Sequence, residues 1–116
     1  MVFSDRRVLL LGGTGGIGRA VAERLEAAGA NVIVASRDGH TVDAPTVGSV
    51  MLDLAAPDLD QQLNLLMERH PDIDTVIHCA GQSSFGRLER QSIADIDQQI
   101  AVNLRSAVLV ARRFLP

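Results

Sequence analysis

Tyrosine, tryptophan and lysine are all absent from the 116 residues, so the 11 basic side chains are all arginine. Any reaction step that needs a phenol or a primary amine must take it from outside these residues. The single cysteine, Cys79, excludes an internal disulfide and fits a reducing compartment. Aromatic residues make up only 3% of the chain, which makes the core aliphatic and close-packed. A net charge of −3 offers no basic field to nucleic acid or to an anionic membrane, and neither is expected as a partner. Apolar runs all fall far short of the ~20 residues that span a bilayer. Val8 to Leu11 is too short for the apolar core of a signal peptide and runs straight into glycines. A soluble cytoplasmic protein is the expectation. One histidine beside one cysteine, His78 and Cys79, makes no metal set, and no metal is expected.

What is present alternates between two kinds of segment. Arg7 to Leu11 is a short continuous apolar run, as a buried parallel strand should be. Ile17, Ala20, Val21, Leu25 and Ala28 then keep a helical period over Gly16 to Ala28, with Gly29 in the place of a helix-ending glycine. Asn31 to Ala35 is a second strand, Arg37 to Thr46 a polar connection, and Gly48 to Leu52 a third strand. Pro57 opens a helix through Leu59, Leu63, Leu66 and Met67 that Pro71 closes. Thr75 to Cys79 is a fourth strand, and Gln82 to Gln91 is loop. Ser92 and Asp95 resemble a capping box at the start of one long helix running through Ile96, Ile100, Leu104, Ala107, Ala111 and Leu115. Arg105, Arg112 and Arg113 fall on its solvated face, and His40 and His70 on the surface. Strands separated by helices imply parallel pairing through right-handed crossovers. The fold expected is a doubly wound, three-layer Rossmann sheet with four strands in the order 3-2-1-4, forming one domain over residues 1–116.

The segment Gly12-Gly13-Thr14-Gly15-Gly16-Ile17-Gly18 joins the first strand to the first helix. A tight strand-to-helix turn needs positive φ, and a pyrophosphate needs bare backbone close by. Free N–H groups at a helix start then face the phosphates. This context points to a dinucleotide, whereas a phosphate loop would need a lysine after the glycines. Three glycine spacings are satisfied at once, G-x-G-x-x-G, G-x-x-x-G-x-G and G-x-x-G-x-x-G, so the turn alone selects no subfamily.

Ser36 stands 18 residues after Gly18, where an acid would bind the ribose hydroxyls of NAD, and Arg37 follows. A small side chain leaves room for a 2′-phosphate, and a guanidinium binds one through charge-assisted hydrogen bonds. NADP(H) is therefore favoured over NAD(H), with Asp38 supplying an acid one step late for the opposite preference.

Taken together, these residues resemble the short-chain dehydrogenase/reductase family, over essentially the whole chain but only the front half of a typical member. Gly12, Gly16 and Gly18 match its glycine turn, with Leu11 where threonine is common. Asp53-Leu54 is similar to the acid–aliphatic pair that meets the adenine, although Asp53 would also suit a helix N-cap. His78-Cys79-Ala80-Gly81 aligns with the family's Asn-Asn-Ala-Gly, agreeing only at Ala80 and Gly81. Val102-Asn103-Leu104 resembles the segment whose asparagine helps hold a water in the proton relay, which implies a catalytic part for Asn103. The resemblance also implies a serine and a Tyr-x-x-x-Lys on the fifth strand and the helix after it, and no tyrosine or lysine is present here.

The expectation is thus the nucleotide-binding front part of an NAD(P)-dependent carbonyl reductase or alcohol dehydrogenase, ending before its fifth strand and acting on a small-molecule carbonyl or alcohol. The resemblance further implies a homo-oligomer packed through the last helix, with which the apolar Ile100, Leu104 and Val108 are compatible. A fourth strand left as an apolar sheet edge would add to that tendency. The alternatives are a non-catalytic NADP(H)-binding sensor or regulatory module and, from the glycine spacing and His78, an extended-type epimerase.

Overall fold

The structure, a computed structural model, describes residues 2–12, 15–39 and 47–115. Four strands, β1 (Arg7–Leu11), β2 (Asn31–Ser36), β3 (Val47–Met51) and β4 (Thr75–His78), form one sheet in the order β3-β2-β1-β4. All three pairings are parallel, with Leu9 opposite Ile33 and Val76, and Ile33 opposite Gly48. This is the doubly wound order that the alternation of segments implied.

Side chains alternate across the sheet and so divide the core in two. On one face, Leu9, Leu11, Ile33 and Ala35 pack with Leu59, Leu63 and Leu66 of α2 (Leu59–Arg69) and Val110 of α4 (Ser106–Phe114). On the other, Val8, Leu10, Val32 and Val34 pack with Ala22, Val21 and Leu25 of α1 (Gly16–Ala27). Leu9, Leu10, Leu11, Leu59 and Leu63 are wholly buried, and each contributes about 1.5–3 kcal/mol through removal from water.

Helix α1 ends as its glycine implied. Gly29 has φ +88°, donates to Glu26 O at 3.0 Å, and Ala30 donates to Leu25 O at 3.0 Å, a Schellman ending. Helix α2 begins two residues after Pro57, which lies in the preceding turn. Its N-cap is Asp58, so Asp53 has no capping role there.

The long final helix departs from expectation at its centre. It starts on Ser92, whose hydroxyl accepts from Asp95 N at 3.0 Å, and α3 runs over Ile93–Ile100. A π-helical segment, Ala101–Arg105, then joins α3 to α4. Of the three arginines expected on the solvated face, Arg112 is exposed, whereas Arg105 and Arg113 reach neighbouring elements. Arg105 donates to Ala56 O at 3.2 Å and Pro57 O at 3.3 Å, and Arg113 pairs with Asp60 at 2.8 Å. Both side chains pin the last helix to α2 and the turn before it, because their length spans the gap between neighbouring helices.

Candidate functional site

At the carboxyl ends of the strands the sheet opens into a crevice of about 340 Å³. It lies where the chain order reverses between β1 and β4, the switch point at which open α/β sheets bind ligands. Four connections build it: Gly12 and Gly15 from the glycine turn, Ala35 to Asp38 at the end of β2, Leu52 to Leu54 after β3, and Cys79 to Gln82 after β4. Gln98 and Val102 close it from the last helix.

Gly12 is the tightest point. Its φ is +81°, and a Cβ there would stand 2.6 Å from both Cα and N of Ala80. The chains leaving β1 and β4 therefore touch backbone to backbone, supported by Cys79 N to Leu11 O at 2.8 Å. Gly16 differs, since a Cβ on it would meet no atom within 4 Å. Gly15 caps α1 without a side-chain hydrogen bond, and no acid occupies the first turn. Among the described residues no side chain caps the leading N–H groups of that helix, on Gly16, Ile17 and Gly18, the arrangement that suits an anion. Gly13 and Thr14 lie outside the described residues, as does His40.

Ser36, the last residue of β2, is 7% exposed, and its hydroxyl is buried without a hydrogen-bond partner. Such a group is costly unless something completes it. Arg37, exposed, follows it into the crevice wall. Across the sheet, Asp53 Oδ1 accepts from Ala55 N at 2.9 Å, which fixes the turn carrying Asp53 and Leu54.

The segment after β4 is stapled to the last helix at three points. His78 Nε2 lies 2.9 Å from Ser106 Oγ, and that hydroxyl donates to Val102 O at 2.5 Å. With its proton on Val102 O, Ser106 accepts from His78, which puts a proton on Nε2. Burial holds the His78 imidazole below its ordinary pKa. Asn103, inside the π-helical segment, accepts from Gln82 N at 2.8 Å and donates to Gln82 O at 2.6 Å. Gln99 accepts from Ser84 N at 3.1 Å. Cys79, Ala80 and Gly81 are held between the first two staples. Among the described residues, no group of three or more His, Cys, Asp or Glu side chains is placed to hold a metal ion.

Of the residues singled out in the sequence, Gly12, Gly15, Ser36, Arg37, Asp53, Leu54, Cys79, Ala80 and Gly81 line this one crevice. Gly16, Ile17 and Gly18 form the first turn of α1 beside it. Asn103 stands behind the wall with its carboxamide engaged on Gln82. Gln82, Gln98, Gln99 and Ser106 went unmarked in the sequence, because polar residues at helical spacing look the same whether they meet solvent or a distant loop.

A mostly parallel, doubly wound sheet with a glycine turn at its switch point defines the Rossmann class. Within that class, the family model described as short chain dehydrogenase matches residues 6–116. The chain belongs to the short-chain dehydrogenase family. An uncharacterized oxidoreductase of Bacillus subtilis is 32% identical over 125 residues, covering 97% of this chain and 46% of that protein. One from Staphylococcus aureus strain USA300 is 25% identical over 123 residues, covering 99% of this chain and 53% of its own length. Among solved structures, a short chain dehydrogenase of Leptospira borgpetersenii with bound NAD+ superposes with a TM-score of 0.85 at 26% identity, covering 97% of this chain and 45% of that one. A Brucella melitensis short-chain dehydrogenase/reductase of the glucose/ribitol dehydrogenase kind superposes with a TM-score of 0.82 at 30% identity, covering all of this chain and 53% of that one. The chain thus spans about half the length of the relatives it matches.

Proposed function

We propose that this chain is the dinucleotide-binding unit of an NAD(P)-dependent oxidoreductase of the carbonyl reductase or alcohol dehydrogenase type, with NADP(H) favoured over NAD(H). The observation that carries the preference is the buried, unpartnered Ser36 hydroxyl next to Arg37 in the crevice wall. The hydroxyl offers a hydrogen bond and the guanidinium a charge-assisted one, a pair suited to a 2′-phosphate. The uncapped start of α1 and the open space over Gly16 suit a pyrophosphate. Asp53 and Leu54 would receive the adenine. Cys79, Ala80 and Gly81 would form the facing wall of the crevice. Asn103 would act by holding the Gln82 backbone, so its part is positioning by the side chain.

The bound nicotinamide would supply the hydride chemistry, and the protein its orientation and proton transfer. The family resemblance implies proton exchange with the substrate oxygen through a tyrosine assisted by a lysine, and neither residue type occurs among these 116. The substrate of the whole protein is proposed to be a small carbonyl or alcohol, and the assembly a homo-oligomer in the cytoplasm. Ile100, Leu104 and Val108 support the oligomer, being 52%, 61% and 56% exposed on the last helix. No helix among the described residues is long and apolar enough to cross a membrane.

Calorimetric titration of the full-length protein with NADPH and NADH tests the preference. Arg37→Ala should weaken NADPH about tenfold, the scale of one charge-assisted hydrogen bond, and leave NADH nearly unchanged. An unaltered NADPH affinity removes Arg37 from the site. The alternative reading is a non-catalytic NADP(H) sensor or regulatory module. NADPH consumption with simple carbonyl substrates by the full-length protein would exclude it.

A further inference from the structure

The dinucleotide reading leaves the side chains of Gln82 and Gln98 without a part, although both line the crevice. Arg105 ties the last helix to Ala56 and Pro57, in the turn that follows Asp53 and Leu54. Val102 and Gln98, four residues apart and so on one helix face, line the same crevice as Asp53 and Leu54. Gln98 is half-buried, and its carboxamide donates to Gln82 Oε1 across a long 3.4 Å. A bond beyond the usual 2.7–3.2 Å is weak and readily exchanged. Asp53 has its Oδ1 held by Ala55 N, which leaves Oδ2 as an acceptor.

We propose that Gln98 is a base-reading residue for the adenine end of the dinucleotide, with Gln82 as its resting partner. This rests on the dinucleotide reading above. Adenine presents a 6-amino group with two hydrogens beside N7, a ring acceptor. A carboxylate such as Asp53 accepts one amino hydrogen but offers N7 nothing. A carboxamide carries acceptor and donor in one plane, so Gln98 Oε1 takes the other amino hydrogen while Nε2 donates to N7, the pairing that glutamine makes with adenine. Gln82 keeps the Gln98 donor engaged and its rotamer set, and the weak contact between them is the one given up to the base.

The test is calorimetric binding of ADP and 7-deaza-ADP to the full-length protein and to Gln98→Leu and Gln98→Glu. ADP carries the base, ribose and diphosphate common to both dinucleotides, and the deaza analogue lacks only the N7 acceptor. The wild type should prefer ADP by about tenfold. Both variants should bind the two nucleotides alike, since leucine makes neither bond and a glutamate has no donor for N7. Equal binding of the two by the wild type, or a preference that survives in Gln98→Leu, overturns the assignment while the dinucleotide reading stands. Failure of the wild type to bind ADP at all overturns that reading and this assignment with it.

Discussion

The carboxamide of Asn103 holds both backbone polar groups of Gln82, accepting from its N–H at 2.8 Å and donating to its carbonyl at 2.6 Å. A side chain in the π-helical segment thereby does for the loop after β4 what a neighbouring strand would do. π-helical turns inside α-helices are frequent at functional sites, and this one presents the residue that sets the crevice wall.

Asn103→Ala removes both bonds and should cost about 1–2 kcal/mol in urea unfolding, with water taking over part of the lost bonding at this exposed loop. The same variant should speed amide hydrogen exchange at Gln82 while leaving β1 and β2 protected. Unchanged exchange at Gln82 would show that the clamp contributes nothing to the loop.

Two glycines of the turn should respond in opposite ways. Gly12→Ala places a Cβ 2.6 Å from the Ala80 backbone at φ +81°, and a loss of more than about 2 kcal/mol in thermal unfolding is expected. Gly16→Ala meets no atom and lies in a helix, so stability should hold or rise by about 0.5–1 kcal/mol. NADPH affinity should nonetheless fall at least about tenfold, as the methyl group occupies the space proposed for the pyrophosphate. Full affinity in Gly16→Ala would move the phosphates elsewhere.

His78 should make stability fall toward acid pH. Burial depresses its pKa in the folded chain, whereas the unfolded chain titrates near the ordinary value of about 6.5. Above that pH both states are neutral and the full stability is present. As pH falls below about 6.5 the unfolded chain takes up the proton first, and stability declines until the folded pKa is passed. The urea midpoint should drop between pH 7.5 and 5.5, and His78→Asn, which keeps a donor for Ser106, should reduce that drop.

Ile93, Ile100, Leu104 and Val108 are 77%, 52%, 61% and 56% exposed along the last helix. The last three are the residues proposed above to face a second copy. Changing Leu104 and Val108 together to glutamate should shift the full-length protein to a smaller species in light scattering. An unchanged mass would remove this face from the proposed homo-oligomer.

Local pattern was enough for much of the framework. The apolar runs at Arg7 to Leu11 and Asn31 to Ala35, the ending at Gly29 and the cap at Ser92 lie within one or two residues of where they form, since each depends on near neighbours in the chain. The glycine turn was legible for the same reason. Its sharpest constraint was not, because the atom that forbids a side chain on Gly12 belongs to Ala80, three strands and two helices further along the chain.

The sequence by itself determined the class of fold and the kind of ligand it suits, through the period of its apolar residues and the glycines between a strand and a helix. Only the tertiary structure decided which side chains work together. Asn103 meets Gln82 across 21 positions, His78 meets Ser106 across 28, and Arg105 meets Ala56 across 49. Contacts between residues so far apart leave no periodic trace, because they depend on how β4 and the last helix come to lie side by side, and that is set by packing on the whole sheet.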